Sequence, residues 1–234
     1  FAKNGSDATS AAVRIARYFT RRDHIISIGY HGWHDWYIGS TTRSMGVPSA
    51  VQALTLSARY NDLSHVENLF EEVKGDVAAV ILEPMNSVDP APGYLESLRS
   101  FCSSNNVLLI FDEVITGFRF ARGGAQELFG VTPDLSCFGK GIANGFPISV
   151  IAGRREIIEG FKEVFFSGTF GGELLSLTAA NVVLDKVSEG RVIPELYRIG
   201  NAIQQRLMSE ISHNKYEFVN LSGNPTWTFL NWTL

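Results

Sequence analysis

A chain of 234 residues with 45% hydrophobic and 12% aromatic content has the apolar material for one sizeable core, which excludes a disordered segment. Its formal net charge of -4 and pI near 5.8, with no run of lysine or arginine, exclude nucleic acid and an anionic membrane as main partners and favour a small ligand. Cys102 and Cys137 have neither the number nor the spacing of a disulfide framework or zinc site, so a reducing cytoplasm is expected, and no signal peptide or membrane-spanning run is visible.

The chain opens on FAKNGSDATSAAVRIARYF without an initiator methionine and closes on the apolar GNPTWTFLNWTL; both ends read as cuts through a larger protein, with any targeting signal upstream. Ala8, Ala11, Ala12, Ile15, Ala16 and Phe19 fall on one helical face, with Ser6 or Asp7 placed to cap its start. IISIGY follows as a buried strand. SHVENLFEEV reads as a helix with a Ser64/Glu67 capping box and Val66, Leu69, Phe70 and Val73 on one side. Then come VAAVIL, the helical YLESLRSFCSSNN, VLLIF, a short helix around GAQELF, and LSCF. Strands that are continuously apolar and alternate with helices imply a parallel sheet buried on both faces. From about Glu173, ELLSLTAANVVLDKV and PELYRIGNAIQQRLMSEI read as long helices packing over that sheet and leading towards another domain.

In such a sheet, ligands bind beyond the carboxyl ends of the strands. The residues there are Tyr30 and His31, Glu83, Asp112 and Glu113, and Gly139 and Lys140. Lys140 is the one charged residue between Asp134 and Arg154. Glycines on both sides of it suit a lysine in a dry pocket, where desolvation makes the amine a nucleophile towards carbonyls; the rival is a lysine that snorkels from a loop. GKGIANG is one residue out of register for a dinucleotide fingerprint, and it lacks the Gly and Ser/Thr of a Walker A loop. In LLIFDEVITGFR, Asp112 is placed to hold a protonated pyridine nitrogen, while Glu113 points away; no partners at metal-ligand spacing are nearby, and no metal is expected. Gly5 and Ser6 stand at a helix start that suits a phosphate or, more simply, a plain cap. In GYHGWHDWY, Tyr30 is the candidate to stack on a flat cofactor, and His31 and His34 read as packing. FSGTFGGE offers Thr169 either to a phosphate or to an ordinary turn.

With these motifs in order, the chain resembles class III aminotransferases of the pyridoxal phosphate (PLP) fold type I, in particular the branch that includes glutamate-1-semialdehyde aminomutase. The resemblance runs through FAKNGSDATSAAVRIAR, YHGWHDW, ILEP, LLIFDEVITGFR, CFGKGIANGFPISVIAGRREI and FSGTFGGE. It implies a three-layer α/β/α fold with a mostly parallel sheet, a PLP-binding large domain over residues 1–190, and a connecting helix and start of a small domain over 191–234. It implies that Lys140 bonds covalently to PLP, Asp112 pairs with its pyridine nitrogen, Val114 and Tyr30 flank its ring, and Gly5 and Ser6 hold its phosphate. It further implies that Thr169 serves the neighbouring subunit of a homodimer, and that the substrates are a small amino donor and a carbonyl acceptor. Lys3-Asn4 and Ser6-Asp7 depart from the family's usual residues. Val88 stands where a polar partner of the cofactor's phenolic oxygen is expected, with Asn86 as its substitute. Ile115, where many transaminases carry Gln, favours the aminomutase-like branch. The rival classes are a homologue that binds PLP or partners without turnover, and a nicotinamide-dependent dehydrogenase.

Overall fold

The computed structural model describes residues 1–233; Leu234, the last residue of the expected small-domain segment, lies outside them. Chain order gives α1 (Gly5–Thr20), β1 (His24–Ile28), the one-turn helices α2 (Asp35–Ile38) and α3 (Ser49–Gln52), β2 (Thr55–Ser57), α4 (Leu63–Glu72) and β3 (Val77–Leu82). There follow α5 (Tyr94–Ser104), β4 (Leu108–Glu113), α6 (Ala125–Phe129), β5 (Leu135–Phe138), a 3-10 turn at Lys140–Ile142, β6 (Val150–Gly153) and α7 (Arg155–Ile158). After a second 3-10 turn come α8 (Leu174–Ser188), α9 (Val192–His213), β7 (Val219–Ser222) and β8 (Phe229–Trp232).

The six-stranded sheet has the order β2-β1-β3-β4-β5-β6, parallel throughout except for the antiparallel edge strand β6. Alternate residues feed two cores. Ile25, Ala79, Ile81, Ile110, Leu135 and Cys137 pack under Ala8, Ala12, Ile15 and Ala16 of α1. Ile26, Ile28, Val80, Leu82, Leu109 and Phe111 pack on the opposite face against Val66 of α4 and Leu95 and Leu98 of α5. Both faces being covered is why the strands read as unbroken apolar runs. The expected three-layer α/β/α architecture with a mostly parallel sheet is the one observed.

Three local expectations need correction. The cap of α1 is Asn4, not Ser6 or Asp7: Asn4 Oδ1 accepts from Asp7 N at 3.0 Å, and Asp7 Oδ2 accepts from Asn4 N at 3.3 Å. Gly5 and Ser6 are therefore the first two helical residues, whose amides have no helical acceptor. The cap of α4 is Asp62, which accepts from His65 N at 2.9 Å, so the Ser64/Glu67 box does not form. Helices α8 and α9 do not lie over the sheet; α8 packs chiefly on the Lys140–Ile142 turn and on α9, and α9 on β7. Among the described residues, no helix is long and apolar enough to cross a membrane.

Candidate active site

The carboxyl ends of β1, β3, β4 and β5 converge on a cavity of about 400 Å³ whose lining includes Lys3, Ser6, Tyr30, Glu83, Asp112 and Lys140. Strand register brings these groups together. Ile28 pairs with Leu82, Leu82 with Phe111, and Asp112 with Cys137, so the residues that leave β3 and β5 flank the end of β4 and those that leave β1 lie one strand beyond β3.

Asp112 occupies the fifth position of β4 and is 5% exposed. Val114 N donates to its Oδ1 at 3.2 Å, and His31 Nδ1 donates to its Oδ2 at 2.8 Å. His31 is fully enclosed between Trp36, stacked at 6.2 Å, and Tyr37, edge-on at 5.3 Å. With Nδ1 committed as donor to a carboxylate, Nε2 is left without a hydrogen-bond partner among the described residues. Sequence reasoning assigned His31 to packing. Its position one residue after Tyr30, at a strand exit, was the available signal; the partner 81 residues away was not.

Two glycines clear the space beside Val114. A Cβ built on Gly5 would stand 2.8 Å from Val114 Cγ1, and one on Gly139 would stand 3.1 Å from it. Gly32 adopts φ +98, and a Cβ there would come within 2.2 Å of Ser6 Oγ, which accepts from Trp33 N at 3.3 Å. The backbones of three glycines thus close around one valine and one serine, beside the free first-turn amides of α1. That cradle, with a carboxylate at its base, fits a flat ring carrying a phosphate and a protonated ring nitrogen.

Tyr30 is 58% exposed and lines the cavity, its backbone N donating to Glu83 Oε2 at 3.0 Å. Glu83, noted as a strand-end residue without a role, reaches the same cavity; burial pushes its carboxyl upward, partly offset by the Tyr30 amide and His31. The Tyr37 phenol donates to Gly29 O at 2.8 Å and is pushed up to about 12 by burial and by Glu83. Glu113 points away from the cavity as expected, accepting from Thr116 Oγ1 and from the Ala125 and Gln126 amides, and burial raises its carboxyl.

Lys140 lines the cavity but is not dry: the residue is exposed, because glycines flank it and it opens a 3-10 turn at the sheet edge. Its φ of +38 places a non-glycine residue in the left-handed region, a strained geometry that the surrounding turn enforces. Asn86 and Val88 do not line the cavity; Asn86 Oδ1 accepts from Val88 N at 3.0 Å, in a local turn. Thr169 is exposed in the turn before α8 and does not join the other candidates within this chain.

The pattern of the family Aminotransferase class-III matches residues 1–223. The chain is 43% identical over 229 residues to a glutamate-1-semialdehyde 2,1-aminomutase of Methanosarcina acetivorans, covering 90% of this chain and 54% of that protein. It is 40% identical over 222 residues to the enzyme of the same name from Salinibacter ruber, covering 86% and 51%. Among solved structures, the PLP internal aldimine form of the FumI protein of Sphingopyxis sp. MTA144 superposes with a TM-score of 0.90 at 29% identity, covering 97% of this chain and 56% of that one. An omega-transaminase from Sphaerobacter thermophilus gives 0.84 at 25% identity, covering 99% and 58%. The chain spans about half the length of the curated relatives it matches.

Proposed function

The chain belongs to the class-III aminotransferase family, and on that premise we propose that it is the PLP-binding part of an enzyme that moves an amino group between a small amine and a keto or aldehyde acceptor. The observation that carries this reading is the convergence of Lys140, Asp112 and the Gly5–Ser6 helix start on one cavity. Bound PLP supplies an electrophilic aldehyde and a ring that accepts the electrons of a broken C–H bond. With PLP bound, Lys140 would offer the amine that bonds its aldehyde and, when free, a base able to hold or move a proton. Asp112, oriented by His31 and the Val114 amide, holds the proton of the ring nitrogen. Val114 and Tyr30 would bound the two faces of the ring, and the amides of Gly5 and Ser6 would hold the phosphate.

We assign residues 1–190 to the PLP-binding large domain and 191–234 to a connecting helix and the beginning of a small domain. The enzyme is read as a homodimer with shared sites, Thr169 reaching the phosphate of the neighbouring copy. The free, buried Cys102 and Cys137 suit a reducing cytoplasm. A second reading, amino transfer within one molecule, is favoured by the relatives named as aminomutases at 43% and 40% identity. Both readings give Lys140 the same work and differ in whether the amino group returns to its own carbon skeleton.

The test is covalent. Borohydride reduction of the full-length protein with PLP, followed by peptide mapping, is expected to put one pyridoxyl group on Lys140, and Lys140→Ala to abolish it. An adduct on another lysine, or none, removes the assignment. A screen of amino donors against keto and aldehyde acceptors then separates the readings: turnover that needs both partners marks a transaminase, and isomerisation of a lone amino aldehyde marks a mutase.

A further inference from the structure

The reaction as described gives Lys3 no part, although it lines the same cavity as Lys140. Its Nζ donates to the Pro147 carbonyl at 2.8 Å and to Glu173 Oε1 at 2.9 Å. Pro147 lies between Phe146 and Ile148, which both line the cavity. Glu173 caps α8, accepting from Leu175 N at 2.8 Å and Ser176 N at 3.1 Å. One ammonium therefore joins the approach to α1, the cavity wall ahead of β6 and the first turn of α8. Its side chain is 23% exposed, and that of Glu173 is 29%.

The anion cradle has few other restraints on its N-terminal side. Ala2 and Ser149 exchange backbone hydrogen bonds at 2.8 Å, and Ser149 Oγ donates to Asn4 O at 2.7 Å. Lys3 sits between these two tethers and sends its side chain to a third point. The Glu173 carboxylate, held down at about 2 by Ser176 and then Lys3, neutralises the ammonium. The paired charge is therefore spent within the protein and is a poor attractor for an incoming phosphate.

We propose that Lys3 is a positioning residue: by gripping Pro147 and Glu173 it fixes the Gly5–Ser6 cradle relative to the start of α8, and so sets how tightly the site retains a phosphate-bearing ligand. The proposal rests on the PLP reading above and separates placement from charge attraction. If Lys3 acted by its charge, freeing it from Glu173 would strengthen phosphate binding. Acting by placement, the same change weakens it.

The experiment titrates two ligands into the full-length protein: PLP, and 4-deoxypyridoxine 5'-phosphate, which keeps the phosphate but has no aldehyde for Lys140. Lys3→Met and Glu173→Gln are each expected to weaken the deoxy analogue about five-fold, the scale of a partly exposed ion pair, while Lys3→Arg stays within about two-fold of the parent. Hydrogen exchange at the Leu175 and Ser176 amides is expected to speed up in Lys3→Met. Tighter binding by Glu173→Gln, or unchanged binding by Lys3→Met, overturns the proposal. Should the parent bind neither ligand, the cofactor reading fails by itself; exchange then decides on Lys3, and unaltered protection in Lys3→Met refutes its grip on α8.

Discussion

At Gly32, backbone freedom and ligand space depend on one missing methyl group. The residue sits at φ +98, and a Cβ there would meet Ser6 Oγ at 2.2 Å, with the Ser6 backbone at 3.0 Å behind it. Ser6 cannot retreat freely, since it belongs to the first turn of α1 and its Oγ also receives the Trp33 amide. An alanine thus combines left-handed backbone strain of about 1–2 kcal/mol with an overpacking term of similar size. Gly32→Ala is expected to lower unfolding free energy by about 2–4 kcal/mol and to abolish PLP uptake. Gly145 is the control: it has φ +120 with nothing within 4 Å of its Cβ position. Gly145→Ala should therefore show the strain alone and keep the cofactor. Urea unfolding with PLP absorbance reads both, and equal losses in the two variants would refute the steric account.

At the next scale, Asp134 ties four elements together. Its Oδ2 accepts from Leu109 N at 2.8 Å and Arg99 Nη1 at 2.7 Å, its Oδ1 accepts from Arg154 Nη1 at 3.0 Å, and its backbone pairs with Leu109 and Arg154. Strands β4 and β5, helix α5 and the exit of β6 are joined at the sheet edge remote from the cavity. Burial raises the carboxyl, but the Leu109 amide and two guanidinium groups outweigh it and leave it lowered. The sign follows. A folded value below the unfolded one makes the contribution complete above the ordinary value of 3.8 and lost as pH falls through the folded one. Asp134→Asn is expected to cost about 1–3 kcal/mol at pH 7, with the gap to the parent flat down to about pH 5 and narrowing below about pH 4. A gap at pH 3.5 as wide as at pH 7 would contradict this. Elements of this size were only partly legible in the sequence. VAAVIL and LSCF match β3 and β5 residue for residue, because strands buried on both faces are uninterrupted apolar runs. Strands β2 and β6, on the sheet edges, are covered only in part and so lack the buried apolar run that marks the inner strands. The caps at Asn4 and Asp62 were missed because each lies two residues ahead of a plausible Ser. Lys140, Asp112 and Gly5 can be singled out by local chemistry, whereas the His31–Asp112 contact exists only once β1, β3 and β4 are folded into one sheet.

Across the whole molecule, the apolar surface is distributed unevenly. Helix α8 buries Ser176, Ala180 and Val187 but leaves Leu174 78% and Leu175 73% exposed. These two leucines, with Phe146, Ala143 and Val182, line one apolar depression. A concentration of large apolar side chains on this scale is the mark of an interaction surface. The turn that leads into it carries Thr169, which is exposed and does not line the cavity of this chain. Under the homodimer reading these facts have one explanation: burying the α8 leucines against a second copy carries the exposed turn to that copy's phosphate. The two roles can be separated by substitution. Under that reading Leu174→Asp, which places a charge within the apolar depression, is expected to convert the full-length protein from dimer to monomer in light scattering, with PLP retention falling alongside. Thr169→Ala should leave the dimer intact and weaken PLP about ten-fold, the worth of one hydrogen bond to a charged group. A Leu174→Asp monomer that holds PLP as the parent does would show that each copy completes its own site, and the shared-site reading would fall.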